Sequence, residues 1–174
     1  AAWEFVDNLE EATKFALTVI TQVAVNGPML TSDIGSSTDF LLPLISSSMT
    51  ACPKIHMGSI DVRAVAKAHI FSMTEEKTHG ERIIVSENEM FFAEVGKTLN
   101  EAGVKKSPTK ELPNFLVKIM SFFVGELKTL LSALDRKGDI DKTKAERFFN
   151  WEYISTEQSV TETAQQLRDM GLTK

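Results

Sequence analysis

The chain has 174 residues, 43% hydrophobic and 25% charged, which suits a globular domain with a buried core and excludes a disordered or collagen-like polymer. Nineteen Lys and Arg against 24 Asp and Glu leave a net charge of −5. That balance argues against nucleic acid as a partner, because counterion release needs clustered cations. The single cysteine, Cys52, excludes an intrachain disulfide and a cysteine-based zinc site, and it fits a reducing, cytoplasmic setting.

Residues 1–12 place Ala2, Phe5, Val6 and Leu9 on one face of an amphipathic helix. No capping residue precedes them, and there is no signal-peptide pattern, so the chain is expected to enter this helix midway, as a piece of a longer protein. Phe15 to Val25 is β-branched and apolar and stops at Asn26-Gly27-Pro28, which predicts a strand buried on both faces. Residues 29–37 read as a loop and 38–49 as a short helix. Ile55 to Ile60 reads as a second strand. Asp61 is the expected N-cap of a helix over 62–73, with Val62, Val65, Ala66, His69, Ile70 and Met73 on its inward stripe. Removing that cap should cost ~1 kcal/mol. Ile83 to Val85 predicts a third strand.

From residue 88 the pattern reads as helical, with Met90, Phe91, Val95 and Leu99 on one stripe closed by Gly103. Residues 113–134 form the most apolar stretch, yet Lys118, Glu126 and Lys128 interrupt it, and it falls short of the ~20 apolar residues of a membrane span. A core or pocket-covering helix is the expectation, and a peripheral membrane role is the weaker one. Helices near 141–149 and 156–170 follow, the last capped by Ser155 or Thr156 with Val160, Ala164 and Leu167 inward. Strands alternating with helices predict an α/β fold, and three strands make a thin sheet for this length.

The motifs argue mainly by exclusion. The nine glycines are too widely spaced to compose a G-x-G-x-x-G turn, a P-loop or a G-x-S-x-G elbow. His56, His69 and His79 lack metal-ligand spacing, so no metal is expected, and His69 reads as a hydrogen-bonded buried side chain. Cys52 reads as a structural thiol rather than a nucleophile. The run from Asp135 to Asp139 reads as a solvated turn.

Two segments are more specific. One is Leu17-Thr18-Val19-Ile20 leading into Asn26-Gly27-Pro28. The other is Asp61-Val62-Arg63-Ala64-Val65-Ala66-Lys67-Ala68-His69 followed by Gly80-Glu81-Arg82-Ile83-Ile84-Val85-Ser86. Together they resemble the carboxy-terminal half of extended short-chain dehydrogenase/reductases, the NAD-dependent epimerase/dehydratase superfamily, nearest its dihydroflavonol reductase and cinnamoyl-CoA reductase branch. Asp141-Lys142-Thr143-Lys144-Ala145 and Phe149-Asn150-Trp151 resemble the family's closing turn and L-G-W-like motif, and Ala1 to Phe5 the end of its long catalytic helix.

The resemblance implies the C-terminal part of a Rossmann-type, doubly wound parallel sheet plus a small, mostly helical substrate-binding domain. Residues 1–28 would supply the last helix and late strand of the dinucleotide-binding domain. Residues 29–174 would be mainly substrate-binding, with 61–86 returning a helix and strand to the sheet. It further implies an oxidoreductase that uses NADP or NAD to reduce a carbonyl, or oxidise the alcohol, of a small, largely apolar substrate.

The family's catalytic Tyr and Lys form Y-x-x-x-K, but the lone Tyr153 is followed four residues on by Glu157. Those residues and the Gly-rich turn would lie upstream of Ala1, leaving this segment alone inactive. Thr21 and Gln22 stand where the family has Asn-Pro, and with Val23 they would border the nicotinamide. Met57, Gly58, Ser59 and Ile60, with residues of the 113–123 helix, would meet the substrate. Ala64 replaces the second Asp of the D-V-R-D motif, so Asp61 and Arg63 read as a cap and a surface ion pair. A small-molecule substrate and a homodimer are the expected partners, without nucleic acid or membrane. The alternative is a degenerate, non-catalytic relative that serves as a binding or regulatory module.

Overall fold

The computed structural model describes the chain apart from Asp33, Ser47, Lys105, Val124 and Lys174, so the expected loop 29–37 and helix 38–49 lie partly outside the described residues. The first half runs α1 (Ala2–Asp7), β1 (Val19–Gln22), β2 (Ala24–Asn26), α2 (Ser36–Ile45), β3 (Cys52–Pro53), β4 (His56–Asp61), α3 (Val62–Thr74) and β5 (Arg82–Val85). The second half runs β6 (Asn88–Phe91), α4 (Phe92–Glu101), β7 (Glu111–Leu112), α5 (Asn114–Met120), α6 (Glu126–Leu130), α7 (Thr143–Phe148) and α8 (Thr156–Asp169). The fold is α/β: β1 pairs with β5, β2 with β4 and β3 with β7, all parallel, while β6 runs antiparallel to β4.

The strand-to-helix passage at Asp61 organises the molecule. Its backbone is extended, φ −75° and ψ 139°, and its carboxylate accepts from the Arg63 amide at 2.8 Å, capping α3. The same carboxylate takes the Arg63 guanidinium through two 2.8 Å bonds and the Ser159 hydroxyl at 2.5 Å, and it is 0% exposed. Arg63 also reaches Glu162 at 2.7 Å. Because Ser159 and Glu162 lie on α8, the cap is also the joint between α3 and the last helix. Thr163 extends the joint by accepting from the Gly27 amide at 2.8 Å. Gly27 has φ +113°, and a Cβ there would come within 2.8 Å of the Asp61 carboxylate, so both backbone and space require glycine.

Two apolar cores flank this joint. One gathers Leu41, Leu44 and Ile45 of α2, Phe92, Val95 and Leu99 of α4, and Val160, Ala164 and Leu167 of α8. The other gathers Ile60, Ile83 and Val85 with Ala64 and Ala68 of α3 and Ala145, Phe148 and Phe149. The inward set expected for α8 is therefore the observed one, and Ser155 is its cap, accepting from Gln158 at 3.2 Å.

Several expectations are corrected. The strand expected over 15–25 is two short strands separated at Val23, half-buried for the most part, and Phe15 is exposed. Helix α3 buries Ala64, Ala68 and Ser72, whereas Ile70 and Met73 are 65% and 81% exposed. Small side chains let the helix lie close on the sheet, so the bulky stripe is the outer one. His69 is accordingly exposed, with Nδ1 2.9 Å from the Val65 carbonyl. Residues 88–91 form a strand rather than the start of a helix, with Met90 opposite Met57 and Phe91 opposite His56. The 113–134 stretch, apart from Val124 outside the described residues, holds two short helices; the first buries only Val117, so it is not a core helix, while Leu127 and Leu130 of the second line a cavity, as a pocket-covering helix would. Cys52 is buried with its thiol 3.3 Å from the Pro108 carbonyl. Burial first, then the Glu111 charge, pushes that thiol up to about 11. No helix among the described residues is long and apolar enough to cross a membrane.

Candidate functional site

Open parallel sheets bind ligands in crevices beyond the carboxyl ends of their strands. In this chain that edge is set by the parallel register of β1 and β5, which brings Gln22, the last residue of β1, opposite Val85, the last of β5. One residue later the chain changes partner: Ala24 pairs with Ser59 and Asn26 with Asp61. Val23 is the residue at which it leaves one sheet for the other.

The structure brings Val23 and Gly58 into contact. A Cβ on Gly58 would lie 2.8 Å from Val23 Cγ1 and 2.6 Å from Ile140 Cδ1, so glycine is what lets these chains close over one another. Gln22 has its side chain exposed at the strand end, and the Thr21 hydroxyl accepts from Arg82 Nε at 3.3 Å. On β4 the four expected substrate residues diverge. Met57 is half-buried against the α2–α4–α8 core, Ser59 accepts from the Asn26 amide at 2.7 Å, and Ile60 is fully buried in the other core.

The cavities beside this seam are lined by residues from distant parts of the chain. One of about 260 Å³ lies beyond the end of β5, bordered by Ser86, Glu87, Lys142, Trp151 and Tyr153. Another, of about 350 Å³, is bordered by His56, Glu89, Glu94, Lys137, Asp139 and Lys142. Lys142 thus stands between them, and its ammonium donates to the Glu87 carbonyl at 2.9 Å. His56 Nδ1 lies 3.3 Å from the Glu89 carboxylate, whose other oxygen accepts from the Ile140 amide at 3.3 Å. The Ser86, Trp151 and Tyr153 polar atoms in the smaller cavity are buried without a hydrogen-bond partner among the described residues. Burial first, then the Glu146 charge, raises the Tyr153 hydroxyl above its ordinary value, which keeps it a neutral hydrogen-bonding group.

A third cavity, about 400 Å³ and largely apolar, opens between α2 and α6 and is lined by Phe40, Pro43, Met49, Phe92, Leu127 and Leu130. Its chemistry suits the hydrocarbon part of a small molecule, whereas the two polar cavities offer hydrogen bonds. The sequence reading assigned β4 to the site but gave no site role to Ser86, Glu87 or the His56–Glu89 pair. The resemblance did include the segment ending at Ser86, the 141–145 turn that supplies Lys142 and the Phe149-Asn150-Trp151 motif, but gave none of them a place in the site.

No family model matches the chain. It is 28% identical over 173 residues to the NADPH-dependent methylglyoxal reductase Gre2 of Saccharomyces cerevisiae, covering 96% of this chain and 47% of that protein. Among solved structures, it superposes on the yeast methylglyoxal/isovaleraldehyde reductase Gre2 complexed with NADPH with a TM-score of 0.72. That pair is 26% identical, covering 98% of this chain and 52% of the other. It shares its fold with a nucleoside-diphosphate-sugar epimerase from Pseudomonas aeruginosa, TM-score 0.73 at 14% identity, covering 99% and 55% respectively. The chain spans about half the length of the curated relatives that it matches over most of its own length.

Proposed function

We propose that this chain, which is similar over nearly its whole length to the carboxy-terminal portion of extended short-chain dehydrogenase/reductases, supplies the substrate side and the nicotinamide-facing edge of an NADPH-dependent carbonyl reductase. The observation that carries the reading is that likeness to reductases. The parallel ends of β1 and β5 support it, since a cavity of about 260 Å³ lies beyond β5, on the side where open parallel sheets bind ligands. In this reading residues 1–28 and 61–86 belong with the dinucleotide-binding sheet, and the remainder of 29–174 is substrate-binding.

The residues present fit a nicotinamide on one side only. Gln22 is an exposed amide, able to donate to and accept from a carboxamide, while Val23 over Gly58 offers an apolar ledge for a ring. Nothing in the sequence supplies a Gly-rich cradle for the phosphates. When bound, the cofactor supplies the hydride. The role of this chain is to hold the ring edge through Thr21, Gln22 and Val23, to border the substrate through the Met57–Ile60 strand, and to keep water from the apolar side. The apolar cavity between α2 and α6 suits a substrate with a short hydrocarbon part.

No Y-x-x-x-K occurs in the chain, so proton transfer to the substrate oxygen needs groups outside it. The exposed Trp3, Phe5, Phe15, Ile70 and Met73 offer an apolar surface for further polypeptide that carries them. The test is NADPH consumption with methylglyoxal and isovaleraldehyde, using NADH for comparison. The 174-residue chain is expected to show no turnover, and the same chain joined to an upstream segment bearing a Gly-rich turn and Y-x-x-x-K is expected to turn over. Absence of saturable NADPH binding by that longer protein, followed by fluorescence, overturns the proposal in favour of a non-catalytic module.

A further inference from the structure

Helix α5 is built inside out. Along it and the turn that follows, only Val117 and Ser121 among the described residues are buried, while Phe115, Ile119, Phe122 and Phe123 recur at the spacing of one helix face and all point outward. Phe122 and Phe123 are 81% and 86% exposed, and the half-exposed Met120 widens the patch. Exposed apolar surface of this extent marks an interaction site.

The charges around it say what kind. Between residues 113 and 123 the only charge is Lys118, and Lys106, Lys110 and Lys128 flank it in sequence, against Glu111 and Glu126. Asp135 accepts from the Asn114 side-chain amide at the start of α5, but it is paired with Lys54 at 2.8 Å, which leaves the lysines in excess. All four lysines are exposed, and none has an ion-pair partner among the described residues. A cationic, aromatic face on a chain of net charge −5 is a local feature with its own complement. We propose that the outward face of α5 and the turn after it docks on an anionic lipid bilayer, its phenylalanines entering the headgroup–acyl boundary while the lysines reach the lipid phosphates and carboxylates.

A second copy of the chain fits less well, because a two-fold contact through this face would bring the lysines of both copies together. The sheet and helix surfaces assigned above to the cofactor-binding half are built on β1, β5 and α3. Helix α5 instead follows β7 in the chain and packs on α6. The inference stands independently of the reductase reading.

Flotation of the 174-residue chain with vesicles of phosphatidylcholine alone and of phosphatidylcholine mixed with phosphatidylserine tests it. The chain is expected to float with the anionic vesicles and to be released by salt. Phe122→Ser with Phe123→Ser should lower the bound fraction about tenfold, and Lys118→Glu should erase the preference for phosphatidylserine. An unchanged thermal midpoint in the double variant shows that lost binding is not lost folding. Absence of the wild-type chain from the vesicle fraction overturns the proposal, as does equal flotation of the double variant. A concentration-dependent dimer abolished by the same two substitutions also overturns it, assigning the face to a second copy.

Discussion

At the junction of β4, α3 and α8 a charged carboxylate is wholly buried, whereas on α5 the largest apolar side chains of the neighbourhood stand in solvent. The difference follows from partners rather than hydropathy. Asp61 receives an amide, both arms of a guanidinium and a hydroxyl, so the cost of desolvating it is met by hydrogen bonds. The outward face of α5 meets no sheet or helix among the described residues, so its hydrophobicity finds no use there. Burial is a property of what lies opposite a side chain as much as of the side chain itself.

Asp61→Ala should break the comparison hardest. It removes a cap, the bonds to Arg63 and the tie to Ser159 together, so about 3 kcal/mol is expected, a fall of about 6–12 °C in thermal midpoint. A loss near the ~1 kcal/mol of a simple exposed cap would mean that the tie to α8 contributes nothing. Acid should reproduce part of the effect. Burial raises the Asp61 carboxyl, but the Arg63 and Ser159 hydrogen bonds outweigh it and hold the group below its ordinary value of 3.8. A depressed folded-state value means that the carboxylate stabilises the fold above the unfolded-state value of about 3.9, and that this contribution is lost as the pH falls through the folded one. Denaturant midpoints of the wild-type chain should therefore fall below about pH 4, and Asp61→Asn should flatten that acid limb. The smallest effect is expected at the other region: Phe122→Ser should change stability by less than about 0.5 kcal/mol, since an exposed side chain loses nothing within the fold. A larger loss in chemical denaturation would show that Phe122 packs on the chain after all.

How much of this could be read from the residues varied with the range of the signal. Asp61 as a cap, the strands at 55–60 and 83–85, and the inward face of α8 were all legible because each is a local pattern. The α3 face was not legible because apolar bulk points to one stripe while Ala64, Ala68 and Ser72 form the close-packing side. The strand at 88–91 was missed because four residues with Met90 and Phe91 adjacent satisfy a helical and an extended period equally well. At the candidate site, Thr21 to Val23 and Met57 to Ile60 are neighbours by strand pairing. The cavity residues Ser86, Lys142 and Tyr153 converge from segments with no common spacing, so no local pattern could have linked them.

The bond from Gly27 to Thr163 joins residues 136 positions apart, and the Asp61–Ser159 bond spans 98. The joint that fixes the ends of β2 and β4 is thus closed by a helix far along the chain from both. Closing loops of that size costs chain entropy before the contacts form, so the seam that the candidate site depends on is expected to lock only when α8 docks, and variants that break the joint are expected to loosen that seam first.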